Sequence, residues 1–204
     1  MLSWQELKGI CTNCTRCGLC ETRHNVVFGA GNETADIMFI GEGPGEQEDL
    51  QGQPFVGPAG KLLDDMLSII DLNRRENCYI ANIVKCRPPR NRDPLETEQD
   101  ACIDYLRNQA ALIKPKIIVC LGRIAAKKLI DPDFRITRQH GQWFKRGNVW
   151  MMATYHPSAL LRNQDLKRPA WEDLKLFKNH LAQLLPDYDQ PFLQHQNQPQ
   201  GSRG

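Results

Sequence analysis

The 204-residue sequence lacks the features of a membrane or secreted protein. No apolar run approaches the ~20 residues that a helix needs to cross a bilayer. The N-terminus does not combine a basic stretch with an apolar one, as a signal peptide does. We therefore expect a cytoplasmic protein without a membrane partner, and we expect it to be a monomer.

A strong charge of either sign is also missing. The net charge of +2 is too small to predict nucleic-acid binding, so only local clusters of basic residues could indicate it. The content of 41% hydrophobic and 25% charged residues is ordinary for a globular protein. We expect one domain over residues 1–185. Residues 186–204 are rich in Gln and Pro with few apolar residues, so we expect a disordered tail there.

The two common phosphate-binding loops are absent as well. Residues 41–45 read GEGPG, but Glu46 stands where the G-x-G-x-x-G pattern needs its third glycine. No G-K-[ST] ending follows, so the P-loop lysine is missing too. The sequence therefore argues against a dinucleotide or nucleoside-triphosphate site of either kind.

Short apolar segments alternate with amphipathic helical segments along the chain. Strands are predicted at residues 36–40, 79–84, 117–121 and 149–154, and helices at residues 58–70, 96–113, 122–130 and 169–185. A further short helix is predicted from the capping box of Ser3 and Glu6 to about Gly9. The last helix is expected to bury Trp171. This alternation predicts an α/β fold with a parallel sheet of about four strands, covered on both faces.

The first predicted strand ends abruptly in a glycine-rich, acidic loop. In an open α/β sheet, ligands bind at the loops that leave the carboxyl ends of strands. Gly41 and Gly43 would let the backbone approach a ligand. Glu42 could offer a carboxylate to a water molecule or to a developing positive charge, and Phe55 could stack on a planar ligand. The alternatives are a tight turn with solvated acids and a core position for Phe55.

Two further polar residues follow predicted strands. Asn82 can donate and accept hydrogen bonds together, as reading the amide edge of a base requires. His156 could donate to an oxygen where negative charge develops. Either could instead be structural, Asn82 by bonding backbone groups and His156 by preceding a proline. Because the carboxyl ends of parallel strands share one edge, we expect both residues to meet Glu42 there.

Eight cysteines need an explanation in a chain of this class. Disulfides are rare in a reducing cytosol, so metal or cluster ligation is the better interpretation. The run of Cys11, Cys14, Cys17 and Cys20 has iron–sulfur spacing, and zinc is the competing metal because four thiolates suit either. Cys120, inside the third predicted strand, is expected in the core.

Four segments, in order, resemble the motifs of family 4 uracil-DNA glycosylases, the iron–sulfur type. They are residues 13–17 (NCTRC), 41–49 with 54–57 (GEGPGEQED and PFVG), 80–89 (IANIVKCRPP) and 156–162 (HPSALLR). The resemblance covers nearly the whole of the predicted folded region, and the four motifs in this order are highly specific. It implies a three-layer α/β/α sandwich with a central four-stranded parallel sheet, formed by a single uracil-DNA glycosylase-like domain.

The same resemblance implies a [4Fe–4S] cluster. Its ligands would be Cys14 and Cys17 in the N-terminal segment, with Cys86 and Cys102 further along the chain. The other two cysteines of the N-terminal run are then extra. We expect the cluster to be structural, since hydrolysis of a glycosidic bond moves no net electrons.

The resemblance also implies a DNA-repair enzyme that flips uracil out of single- or double-stranded DNA. The enzyme would hydrolyse the N-glycosidic bond and leave an abasic site. Glu42 would position and activate the water. His156 and the backbone at Gly41 and Gly43 would stabilise the uracil anion as it departs.

The remaining motif residues would hold the base and the DNA. Asn82 would read the O4/N3 edge of uracil and reject cytosine, whose N4 amine is a donor where uracil has an acceptor. Phe55 would stack on the base. Leu161 and Arg162 resemble the segment that enters the duplex and fills the vacated space.

Basic residues after the second predicted strand are candidates for phosphate contacts. They are Lys85, Arg87, Arg90 and Arg92, with solvated surface charge as the alternative. Residues 85–94 contain no histidine, so we expect ordinary turnover and not the covalent trapping of a related glycosylase type. The other function left open is a non-catalytic iron–sulfur nucleic-acid-binding protein of the same fold.

Overall fold

A computed structural model describes residues 2–185 of the chain, so the expected tail at 186–204 lies outside the described residues. The strands are β1 (Ala30–Gly31), β2 (Ile37–Gly41), β3 (Tyr79–Asn82), β4 (Ile117–Leu121), β5 (Trp143–Arg146) and β6 (Val149–Thr154). The helices are α1 (Trp4–Thr12), α2 (Glu46–Gln51), α3 (Pro58–Ile69), α4 (Glu96–Ile113), α5 (Arg123–Leu129), α6 (Ile136–Gln139), α7 (Pro157–Arg162) and α8 (Lys167–Leu184). The four predicted strands and the five predicted helices are all present, with ends that coincide with the predicted ones or differ by at most three residues.

The six strands of this region form one mixed sheet in the order β1-β3-β2-β4-β6-β5. The four inner strands are parallel, as expected, and β1 and β5 add antiparallel edges that the sequence analysis did not include. Strand β5 exists because Gly147, with a φ of 57°, lets the chain turn back from Arg146 to Val149. The sheet is therefore larger than predicted, while its parallel centre is the one predicted.

Alternation along β2 divides the core into two layers. Met38 and Ile40 face one hydrophobic cluster, and Ile37 and Phe39 face the other. Helices α1, α4 and α5 contribute to the first cluster, and α3, α7 and α8 contribute to the second. The three-layer α/β/α architecture is thus confirmed, and Cys120 lies in the core as predicted.

Two local expectations were wrong. The capping box of Ser3 and Glu6 does begin α1, but the helix continues to Thr12 and so carries Cys11 in its last turn. Trp171 is 42% exposed on α8, because Leu174, Phe177 and Leu181 fill the buried side of that helix. Among residues 2–185, no helix is long and apolar enough to span a bilayer.

Candidate active site

The polar residues that follow the inner strands meet at one edge of the sheet. Gly41, the last residue of β2, pairs in register with Asn82, the last residue of β3. The pairing continues beyond the strands, since the N–H of Ile83 bonds to the Gly41 carbonyl at 3.0 Å and that of Val84 to the Glu42 carbonyl at 3.1 Å. These bonds fix the backbone of Glu42 beside that of Asn82.

On the other side, β4 and β6 end together. Leu121 pairs with Thr154, and the N–H of Gly122 donates to the Thr154 carbonyl at 2.8 Å. Gly122 has a φ of 91°, and a Cβ atom there would lie 2.9 Å from the Cβ of His156. The glycine thus permits both the turn into α5 and the close approach of His156.

A cavity of about 750 Å³ opens at this edge. The predicted site residues that line it are Glu42, Gly43, Phe55, Asn82, His156 and Arg162. Gly41 is not among the described residues that line it. A Cβ on Gly41 would lie 2.6 Å from Cζ of Phe55, so the glycine acts by leaving room for that ring.

Asn82 presents an unused acceptor to the cavity. Its side chain is 1% exposed, and its Oδ1 has no hydrogen-bond partner among residues 2–185. Buried polar atoms are normally paired, and an exception at a cavity indicates a missing ligand or water. The arrangement favours a ligand that donates to Oδ1, as the imide N–H of uracil can.

Phe55 is held in an unusual conformation. Its φ is 54°, which is uncommon for a residue with a side chain. Arg74 fixes this turn by donating to the carbonyls of Pro54 and Phe55, at 2.9 Å each. The ring is buried and lies 5.5 Å from the His156 ring, centroid to centroid. Strain of this kind is maintained where the geometry serves a site, and here it directs the ring to the cavity.

Glu48 joins the two loops around Phe55. One carboxylate oxygen accepts the N–H groups of Val56 and Gly57 at 2.8 Å each, and the other accepts the N–H of Gly45 at 3.1 Å. An ionised carboxylate makes such bonds short and strong. Glu48, one of the acids in the loop, thus holds the backbone of both loops in place and is not a solvated surface group.

His156 is a neutral donor. Its Nδ1 accepts the backbone N–H of Ser158 at 3.1 Å. Burial, followed by the positive charge of Arg162, lowers the pKa of His156 to about 4. The ring therefore stays uncharged near neutral pH, and its proton lies on Nε2.

Glu42 holds its proton more tightly than an ordinary carboxyl group. Burial raises its pKa to about 7, and the negative charge of Asp93 acts in the same direction. Arg123 and Arg162 oppose this rise. A carboxyl group with a pKa near neutrality suits general-base chemistry.

The other residues that were predicted to contact DNA differ in how exposed their side chains are. Leu161 is 43% exposed on α7, next to the cavity-lining Arg162. Arg90 is exposed, and Arg87 pairs with Glu46 at 3.4 Å. Lys85 was wrongly expected at the surface: it is 1% exposed, and its Nζ donates to Gln109 at 2.7 Å.

A second, small cavity is lined by cysteines. It is surrounded by the four predicted ligands, Cys14, Cys17, Cys86 and Cys102, and also by Cys11 and Cys20. In the described part of the chain, no three His, Cys, Asp or Glu side chains are arranged to hold a single metal ion.

Hydrogen-bond donors lie close to two of these sulfurs. The N–H of Lys85 lies 3.3 Å from Sγ of Cys102, and the guanidinium of Arg23 lies 3.3 Å from Sγ of Cys86. N–H donors of this kind stabilise thiolate ligands. The donor set thus fits a group bound through several thiolates.

Two charged residues that line the cavity, Asp93 and Arg123, were not predicted from the sequence. Asp93 lies in the loop before α4, and Arg123 is the first residue of α5. Arg123 follows the end of β4, so the rule that located Asn82 and His156 also applied to it. Asp93 lies 11 residues after Asn82, and only the fold of the intervening loop brings it back.

Comparison with known proteins adds to this geometry. The model of the uracil DNA glycosylase superfamily matches residues 28–175. The chain is 48% identical over 173 residues to a type-4 uracil-DNA glycosylase of Archaeoglobus fulgidus, covering 80% of this chain and 85% of that protein. It is 45% identical over 174 residues to the type-4 uracil-DNA glycosylase of Thermotoga maritima, covering 82% and 89%. The corresponding protein of Sulfurisphaera tokodaii is 44% identical over 183 residues, covering 86% and 83%.

Proposed function

The chain belongs to the uracil-DNA glycosylase superfamily and, within it, to the type-4 enzymes, and we propose that it removes uracil from DNA. The reaction is hydrolysis of the N-glycosidic bond of a flipped-out nucleotide, which leaves an abasic site. The observation that carries the proposal is the convergence of Glu42, Asn82, Phe55 and His156 on one cavity, with an unpartnered acceptor on Asn82.

Glu42 and His156 divide the chemistry between the two sides of the bond that breaks. Cleavage builds positive charge on the sugar and negative charge on the departing uracil. The Glu42 carboxylate accepts a proton from the attacking water, and its charge stabilises the cationic sugar. The Nε2–H of neutral His156 donates to uracil O2 as the anion forms. The Gly43 backbone lines the same cavity and supports this role.

Asn82 and Phe55 select the base. The Asn82 side chain accepts the N3–H of uracil at Oδ1 and donates to O4 from Nδ2. Cytosine offers an acceptor at N3 and a donor at N4, so both bonds would be lost. A polar site of this kind discriminates strongly because its buried groups are left unpaired by the wrong base. Phe55 stacks on the base that Asn82 reads.

DNA is held around the mouth of the cavity. Leu161 is an exposed apolar residue next to Arg162, so the pair can occupy the space that a flipped nucleotide leaves. Arg87 and Arg90 contact phosphates from the loop after β3. Both single-stranded and duplex DNA fit this arrangement as substrates.

The cysteine cavity would hold a [4Fe–4S] cluster through Cys14, Cys17, Cys86 and Cys102. When bound, the cluster supplies cross-linking of three chain segments, not electron transfer. Its ligands lie before the first strand, directly after β3 and on the second turn of α4. Because the loop after β3 also continues to the active-site edge, this cross-link supports the position of Asn82.

The proposal is tested with a labelled oligonucleotide that holds a single uracil. After incubation, alkali should cleave the strand at that position, since abasic sites are alkali-labile. Matched oligonucleotides with cytosine or thymine at the same position should stay intact. If protein with its full iron content does not cleave the strand, the assignment as an enzyme is wrong. The alternative, a DNA-binding protein of the same fold, would then be favoured.

A further inference from the structure

Four acceptors surround the guanidinium group of Arg74. Its terminal nitrogens donate to the carbonyls of Pro54 and Phe55 at 2.9 Å each, and to that of Gly60 at 3.3 Å. Its Nε donates to Asp64 at 2.6 Å. A guanidinium presents its donors in one plane and at fixed angles, so several simultaneous bonds hold the partners in one arrangement. Arg74 thus joins the turn at Phe55 to the first two turns of α3.

The loop that carries Arg74, between α3 and β3, is held by its own side chains. The N–H of Asn73 donates to Oδ1 of Asn77 at 2.7 Å, and Nδ2 of Asn77 donates to the Asp71 carbonyl at 3.2 Å. The N–H of Arg75 donates to Oδ1 of Asn73 at 2.8 Å. The side chain of Arg74 is 19% exposed, so its bonds are largely shielded from water. The guanidinium therefore bonds to the turn at Phe55 from a fixed position.

Phe55 needs such a partner because its backbone is strained. Its φ of 54° lies in the left-handed region, which a residue with a side chain occupies only where its surroundings enforce it. The N–H groups that donate to Glu48 hold the downstream side of the turn. A Cβ atom on Gly60 would lie 1.8 Å from the Phe55 carbonyl oxygen, so α3 packs directly against that carbonyl. Loss of Arg74 would remove the donors on this side and let the turn relax towards an ordinary φ.

We propose that Arg74 is a positioning residue, which keeps the Phe55 ring where it stacks on the flipped base. Arg74 is not among the described residues that line the cavity, so it acts through Phe55 and not by contact with substrate. The inference rests on the proposed function, in which Phe55 stacks on uracil. When Arg74 is replaced, the Phe55 ring should leave its place 5.5 Å from the His156 ring, centroid to centroid, and the base should lose its stacking partner.

A double-mutant cycle measures this dependence. Phe55→Ala removes the stack, which should lower kcat/KM for a uracil-containing oligonucleotide by about 5- to 150-fold. Arg74→Met should cause a loss of the same order, because the ring is present but misplaced. The double variant should then lie within about twofold of Phe55→Ala, since two changes that remove the same interaction do not add. A larger further loss in the double variant would overturn the inference.

Two variants of the same loop separate position from charge. Arg75→Met removes an equal charge from the exposed neighbour of Arg74 and should release uracil at the wild-type rate. Arg74→Lys keeps the charge, but an ammonium group cannot replace the planar fork of donors, so release should stay impaired. Full recovery in Arg74→Lys would show that only the charge matters and would overturn the inference. Arg74→Lys also takes the place of Arg74→Met in the cycle if the latter does not fold.

The position of the ring can be measured without relying on activity. The ring current of Phe55 shifts the proton resonances of the neighbouring His156 ring. In NMR spectra of the free protein, Arg74→Met should therefore change these resonances in the same direction as Phe55→Ala does. Wild-type resonances in Arg74→Met would overturn the inference. If wild type releases no uracil but the two variants change the resonances alike, the proposed function fails and the role of Arg74 in placing Phe55 stands.

Discussion

The Nδ1 atom of His156 accepts a hydrogen bond from the backbone N–H of Ser158 at 3.1 Å. A backbone N–H can only donate, so this nitrogen carries no proton and Nε2 does. The hydroxyl of Ser158 lies 2.8 Å from the same Nδ1. The local turn at the start of α7 thus selects the tautomer that can donate to a uracil oxygen.

We expect His156 to stay neutral at pH values well below the ordinary pKa of a histidine side chain. Burial lowers its pKa from 6.5 to about 4, so nitrogen-15 NMR should show an imidazole midpoint near 4 with the proton on Nε2. The unfolded chain binds this proton more readily, so the contribution to stability is complete above pH 6.5 and declines as the pH falls towards 4. A midpoint near 6.5, or a proton on Nδ1, would refute the assignment.

Asn82→Asp should reverse the hydrogen-bond pattern that the base meets. The carboxylate cannot donate to uracil O4, and it can accept from the N4 amine of cytosine. We expect uracil release to fall by ~10²–10³, as for the loss of one preorganised donor. The ratio of uracil to cytosine release should fall further. These rates are measured on matched oligonucleotides, and an unchanged ratio would show that Asn82 does not read the base.

Cysteine substitutions test the ligand set. Cys86→Ser should lose bound iron and the visible absorbance of an iron–sulfur cluster, because a hydroxyl is a poor replacement for a thiolate. Cys20→Ser, in the same cavity but outside the predicted set, should keep the full iron content. Iron analysis of anaerobically purified proteins checks both. Zinc in place of iron, or equal loss in the two variants, would contradict the assignment.

Arg162→Gln should weaken the salt dependence of DNA binding. If Arg162 neutralises one phosphate, the slope of log K against log salt for duplex DNA should decrease in magnitude by about 0.9. Arg107→Gln is the matched control, since Arg107 is exposed on α4 and pairs only with Asp104 among the described acids. Titrations at several salt concentrations give both slopes. Equal slopes for Arg162→Gln and wild type would remove Arg162 from the phosphate contacts.

The sequence was sufficient to predict which residues meet at the centre of the candidate site. Asn82 and His156 follow predictable strands, and the parallel arrangement of those strands brings them to one edge with Glu42. Local pattern alone carries this information, because strand period and chain order determine which ends meet.

Other features of the fold and of the candidate site depend on long-range packing, which local sequence patterns do not predict. Lys85 can be buried because Oε1 of Gln109 in α4 accepts a hydrogen bond from its ammonium group. No sequence pattern near Lys85 indicates this contact. Asp93 lines the cavity from a loop that the bonds of Arg92 to Glu98 and to the Asp93 carbonyl hold in place. Edge strand β5 depends on a two-residue turn at Gly147, and a glycine in such a turn is a local signal that the sequence itself contains.

The proposed mechanism of uracil release depends most directly on Glu42. Single-turnover release of uracil should fall by ~10²–10⁴ in Glu42→Gln, because the amide cannot accept the proton of the attacking water. Binding of the uracil-containing oligonucleotide should be retained, since the amide keeps the size of the side chain. Release at the wild-type rate by Glu42→Gln would contradict the assignment of Glu42 as the residue that activates water.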